Sequence, residues 1–162
     1  MGPDHERCFA CLETLPIGDT VPMKCQSLHR TCKPCLEAML ERASKYETYY
    51  PVYCCNRRLA TRIEDVEHYV PSEIIARFKE KAAEYDTEPR HRVYCAESRC
   101  SVFLGSRPDA RHVTKIHCKR CGTDTCATCK EAVSKDSKHD CQRKVPDLGY
   151  DKENRCKACP SC

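Results

Sequence analysis

Apolar positions recur at helical spacing in two stretches of the chain. In the first, Leu36, Met39, Leu40 and Ala43 share one face, with Glu37, Glu41 and Arg42 opposite. That pattern predicts a helix following Cys35. In the second, Ile74, Ile75, Phe78, Ala82 and Tyr85 repeat at near-helical intervals, with Arg77, Lys79, Glu80, Lys81 and Glu84 between them. Pro71-Ser72-Glu73 supplies its start signal, with Ser72 as N-cap and Glu73 in the first turn. Glu88-Pro89 should end it. A shorter helix is expected over 63–69. The stripe on the Ser72 helix reads first as a packing face, because an apolar stripe usually marks core. A partner-binding helix is the alternative. The segment 145–155 carries Pro146, Gly149 and mixed charges and reads as a linker. No internal repeat is visible.

Cysteine organises the rest of the chain. There are 17 Cys among 162 residues, against 3 Phe and no Trp. Few large apolar side chains remain for one continuous core, and small domains with thin cores need disulfides or metals as staples. The opening residues contain no apolar run, so no signal peptide is expected, and no later segment is apolar for long enough to span a membrane. The expected compartment is intracellular, cytoplasmic or nuclear. In that reducing setting paired cysteines serve as metal ligands more often than as disulfides. The net charge of +4, from 28 basic and 24 acidic residues, describes a mixed surface. It lacks the basic stripe of a nucleic-acid binder. Neither His-Glu-x-x-His nor a Gly-rich phosphate loop is present.

The cysteines fall into groups. The first offers Cys8, Cys11, Cys25, His29, Cys32, Cys35, Cys54 and Cys55. The second offers Cys95, Cys100, Cys118, Cys121, Cys126, Cys129, His139 and Cys141. Each is seven Cys plus one His, enough for two tetrahedral zinc sites of four ligands. A Cys-x-x-Cys turn places two sulfurs on the same side of a tight loop, so two such turns complete one site. His117, next to Cys118, competes with His139 for the histidine position. The remaining Cys156, Cys159 and Cys162 form a third group.

The spacing Cys8-x2-Cys11, Cys25-x3-His29-x2-Cys32-x2-Cys35, Cys54-Cys55 resembles a RING finger. The spacing Cys95-x4-Cys100, Cys118-x2-Cys121-x4-Cys126-x2-Cys129, His139-x-Cys141 resembles an in-between-RING domain. Arg155-Cys156-Lys157-Ala158-Cys159-Pro160 resembles the opening of a second RING. The order is that of the RING-between-RING ubiquitin ligases. The resemblance implies small zinc-stabilised α+β modules, a cross-braced RING and a bilobal in-between-RING domain, joined by a helical linker. Its boundaries would be 1–62 for the RING, 63–90 for the linker, 91–145 for the in-between-RING domain and 146–162 for a linker and incomplete second RING. It implies cross-braced ligation in the first module, Cys8, Cys11, Cys32 and Cys35 on one ion and Cys25, His29, Cys54 and Cys55 on the other. In the second module Cys95, Cys100, Cys118 and Cys121 would hold one ion and Cys126, Cys129, His139 and Cys141 the next. Cys156 and Cys159 would be ligands of the third. The implied partners are a ubiquitin-conjugating enzyme, touched by Ala10 and Leu36, together with ubiquitin and a protein substrate, and neither nucleic acid nor membrane. The ubiquitin-accepting cysteine would lie beyond this chain. A non-catalytic zinc-binding adaptor, docking partners on the Ser72 helix, is the alternative.

Overall fold

The structure is a computed structural model that describes residues 4–55, 60–107, 115–134, 139 and 141. Cys156, Cys159 and the expected linker at 146–162 lie outside the described residues. The chain divides into two units, Met1–Glu88 and Pro89–Cys162.

In the first unit β1 (His5–Arg7) pairs antiparallel with β2 (Thr14–Pro16), and β3 (Thr20–Pro22) with β4 (Arg30–Cys32). Helix α1 spans Lys33–Lys45 and α2 spans Ser72–Tyr85. Helix α1 therefore begins before Cys35, with Pro34 in its first turn. Proline's fixed φ suits that position, where no intrahelical N–H bond is needed. Arg42 and Lys45 in its last turn complement the helix dipole. At α2 the cap is Pro71 rather than Ser72, and no side chain caps it. The Pro71 carbonyl itself accepts the N–H groups of Ile74 and Ile75, at 3.1 and 3.2 Å. The segment expected as a short helix forms two single 3-10 turns, Ile63–Asp65 and Glu67–Tyr69.

One apolar core runs through this unit. Val21 and Met23 enter from the β3 side, Leu36, Leu40 and Ala43 from α1, and Ile74, Ile75 and Phe78 from α2. Val52, Val66 and Val70 close it. The 63–85 stretch, expected as a linker between modules, thus supplies nearly half of the first unit's core. Each fully buried Leu or Phe side chain contributes about 1.5–3 kcal/mol. The Tyr50 ring packs against Phe78 and Tyr85, with centroids 5.8 and 5.5 Å away, and its hydroxyl donates to Asp86 at 2.8 Å. Burial and the Asp86 carboxylate push the Tyr50 phenol up to about 12.

The second unit is built differently. β5 (Arg92–Tyr94) pairs with β6 (Phe103–Ser106), and β7 (Lys115–His117), β8 (Asp124–Cys126) and β9 (Ala132–Val133) form a three-stranded antiparallel sheet with β8 central. Among the described residues its buried apolar side chains are Val93, Ala127 and Val133, beside the thiols Cys95, Cys118 and Cys126. Such a core is too thin to hold sheets of two and three strands by itself.

Candidate metal centres

The local fold explains how the sulfurs converge. After Cys8, the Leu12 N–H bonds back to the Cys8 carbonyl at 2.9 Å, and the Cys8 N–H bonds to Glu13 O at 2.8 Å. The same two bonds recur at Cys118, with Gly122 and Thr123, and at Cys126, with Lys130 and Glu131. In all three turns the residue after the second cysteine is left-handed: Leu12 at φ 67, Gly122 at φ 79 and Lys130 at φ 63. One knuckle geometry is therefore used three times. The sequence shows no repeat because only the two cysteines are shared.

The ligand atoms gather into four sets, and within each set all lie within 4.8 Å of one another. In the first unit these are Cys8, Cys11, Cys32 and Cys35, and then Cys25, His29, Cys54 and Cys55. Their pairs alternate along the chain, as cross-bracing requires. In the second unit they are Cys95, Cys100, Cys118 and Cys121, followed by Cys126, Cys129, His139 and Cys141, in chain order. The adjacent Cys54 and Cys55 both reach their set. His139 takes the histidine position, with Nε2 3.2 Å from Cys129 Sγ. His117 instead pairs with Asp124, Nδ1 to Oδ1 at 2.7 Å.

The donor chemistry fits zinc. Cys11 and Cys32 sulfurs are 3.9 Å apart, Cys95 and Cys121 3.4 Å, and Cys100 and Cys118 3.7 Å. Two thiolates on one tetrahedral zinc sit ~3.8 Å apart, from Zn–S of about 2.3 Å. These separations are far too long for a disulfide, and every described cysteine is free. Soft thiolates with imidazole select zinc over calcium or magnesium.

Electrostatics inside each set also favours a cation. Burial resists ionisation of Cys8, but N–H groups of Cys11 and Cys32 and the Thr31 hydroxyl outweigh it and lower the thiol to about 6. Its neighbour Cys35 is pushed strongly upward, by burial and then by the sulfurs of Cys32, Cys11 and Cys8. In the second set burial and Cys25 raise Cys54 to about 12. In the third, the Thr123 hydroxyl and N–H bring Cys121 to about 6, while burial and the Cys121 and Cys118 sulfurs raise Cys95 to about 12. In the fourth, burial opposes ionisation of Cys126, but the N–H groups of Cys129 and Thr128 lower it to about 7. Burial, Cys129 and Cys126 raise Cys141 to about 11. In each set one thiol collects the hydrogen bonds that favour its thiolate, while Cys35, Cys54, Cys95 and Cys141 beside it are pushed towards the protonated form, a balance that a bound cation would reverse.

The two expected partner contacts part company. Ala10 is exposed on the Cys8–Cys11 knuckle. Leu36 is not available to a partner: it is fully buried in the α1 face of the core. It lies on the same apolar face as Leu40 and Ala43 and is buried with them. Pattern reading also passed over two exposed leucines on the metal-bearing turns, Leu12 and Leu28, the latter 83% exposed at φ 50. It missed Thr31 and Thr125 as well, both fully buried and each just before a Cys-x-x-Cys. That Thr-Cys-x-x-Cys pairing was the available signal.

The family described as the IBR domain, a half RING-finger domain, matches residues 76–141. The chain carries an IBR domain. The alternating metal sets of the first unit precede this IBR match in the chain. The IBR match takes in Cys95 to Cys141, both metal sets of the second unit, and begins within α2. No curated protein sequence matches the chain. Among solved structures, Pediculus humanus Parkin bound to phospho-ubiquitin is similar at 19% identity and TM-score 0.50, covering 89% of this chain and 46% of that one. A pParkin-pUb-UbcH7 complex is similar at 22% identity and TM-score 0.49, covering 85% of this chain and 45% of that one. The chain thus spans less than half the length of these Parkin chains.

Proposed function

We propose that this chain is the RING and IBR segment of a ubiquitin-protein ligase. It holds structural zinc at the four sets, recruits a ubiquitin-conjugating enzyme through its first module and supports ubiquitin transfer to protein substrates. The observation that carries this reading is the succession of alternating and then sequential metal sets in one chain. Four-ligand closed sites leave no open position for a reacting group, so zinc here supplies shape rather than chemistry. The sixteen described ligands are the Cys and His of those sets, with Cys156 and Cys159 opening a further site. The module boundaries 1–62, 63–90, 91–145 and 146–162 belong to the same reading.

Ubiquitin transfer within this family needs a thiolate nucleophile. All 14 described cysteines lie in metal sets. A metal-bound thiolate is committed, so we assign the ubiquitin-accepting step to a cysteine other than these. Docking of the conjugating enzyme falls to the exposed apolar residues of the metal-bearing turns, Ala10, Leu12 and Leu28, in place of Leu36. The adaptor alternative loses its docking face, because Ile74, Ile75 and Phe78 of α2 are buried within the first unit.

The test titrates the zinc-loaded chain against a panel of ubiquitin-charged conjugating enzymes. At least one should bind, and Ala10→Arg should weaken that binding at least about tenfold with zinc content unchanged. Binding to none of the panel would overturn the recruitment reading in favour of the adaptor alternative.

A further inference from the structure

The second unit's two metal sets are separate in chain order, yet one short strand serves both. Cys121 belongs to the first set and Cys126 to the second, and only β8 and its approach lie between them. That stretch also holds the first set from two directions. The Cys118 N–H bonds to Thr123 O at 2.9 Å, and the Thr123 hydroxyl lies 3.4 Å from Cys121 Sγ. From the other side, the Ala96 N–H, next to the ligand Cys95, donates to Thr125 Oγ1 at 3.0 Å. Thr125 is fully buried and directly precedes Cys126. Among the described hydrogen bonds, this one joins the Cys95 loop directly to the residue beside a ligand of the other set.

We propose that Thr125 is a positioning residue that makes the two metal sites of the second unit load together. The inference rests on the zinc-scaffold reading above. Metal at Cys126, Cys129, His139 and Cys141 fixes the end of β8. A fixed β8 holds Oγ1 where the Ala96 N–H needs it, and so preorganises the Cys95 loop for its own ion. Partners that orient ligands from behind change metal affinity by about 10–100-fold. Thr125 Oγ1 is on a fully buried side chain, and a buried acceptor is costly to leave without its donor, which gives the coupling its strength.

The full chain, stripped and reloaded with limiting cadmium, separates these outcomes, because cadmium NMR distinguishes a four-thiolate site from one with three thiolates and an imidazole. The first-unit signals are assigned by their loss in Cys8→Ser and Cys25→Ser chains. In the native chain the two second-unit signals should rise together. In Thr125→Val they should rise separately, with the Cys95 site weakened about tenfold. Thr125→Ser, which keeps the hydroxyl, should restore joint loading. Joint loading in Thr125→Val, separate loading in the native chain, or a Thr125→Ser chain that behaves like Thr125→Val would each overturn the proposal. Absence of every cadmium signal would instead sink the metal reading itself.

Discussion

The two units use the same knuckle for different ends. In the first, alternating metal sets brace loops that already surround an apolar core shared by α1 and α2. In the second, sequential sets sit on short hairpins where, among the described residues, few apolar side chains are buried besides the ligand thiols themselves. The difference teaches where folding free energy resides. Metal secures the loops of a unit that has other support in the first case, and replaces a core in the second.

Metal removal should separate the units most strongly. Binding at structural zinc sites contributes on the order of 10 kcal/mol. Under a chelator, amide hydrogen exchange should show the second unit losing all protection. The α1–α2 pair should keep residual protection at Leu40 and Phe78. Equal loss in both units would break the comparison.

The converse perturbation is to the core. Phe78→Ala should destabilise the first unit by about 3–5 kcal/mol and leave the metal content of the second unit unchanged, as thermal unfolding and metal analysis would report. A loss of second-unit metal would show that the units depend on each other.

Most of the metal chemistry was legible in the sequence, because thiolate ligation fixes cysteine spacing more tightly than packing fixes apolar spacing. The sixteen ligand candidates at Cys8 to Cys141 gather into four sets, a grouping that the family resemblance, rather than spacing alone, implied. Even the choice between His139 and His117 needed only the Asp124 partner, which faces His117 across β7 and β8. What pattern could not give was tertiary use. The apolar stripe already put Leu36 on the packing face, and its burial there competes with the partner contact that the family resemblance implied; the absorption of 63–85 into the first core follows from helix packing that no local signal encodes. Ser72 is not the cap because the helix already begins at that residue, one position earlier than the start signal suggested.

Smaller effects test the shared knuckle. Gly122 is left-handed, and a Cβ there would meet nothing within 4 Å. Gly122→Ala should therefore cost about 1 kcal/mol, all of it in the backbone. Leu12→Gly should relieve a cost of similar size, which is partly offset by a more flexible unfolded chain. Denaturation of the metal-loaded proteins would measure both.

The smallest expected effect is at Tyr50. Its phenol is held near 12 in the folded state, above the ordinary value of about 10. The folded chain keeps this proton more tightly, so its contribution is complete below about pH 10 and fades as pH rises towards 12. Tyr50→Phe should remove that part of the alkaline loss in a comparison of unfolding curves between pH 9 and about 12. An unchanged alkaline slope would place the cause elsewhere in the first unit.

The most direct test of the account is the zinc content of the purified chain by elemental analysis, with thiol counting alongside. The four sets predict about four tightly held zinc ions per chain and no disulfide among Cys8 to Cys141. Near-zero zinc with paired cysteines would contradict the metal centres and the ligase reading built on them.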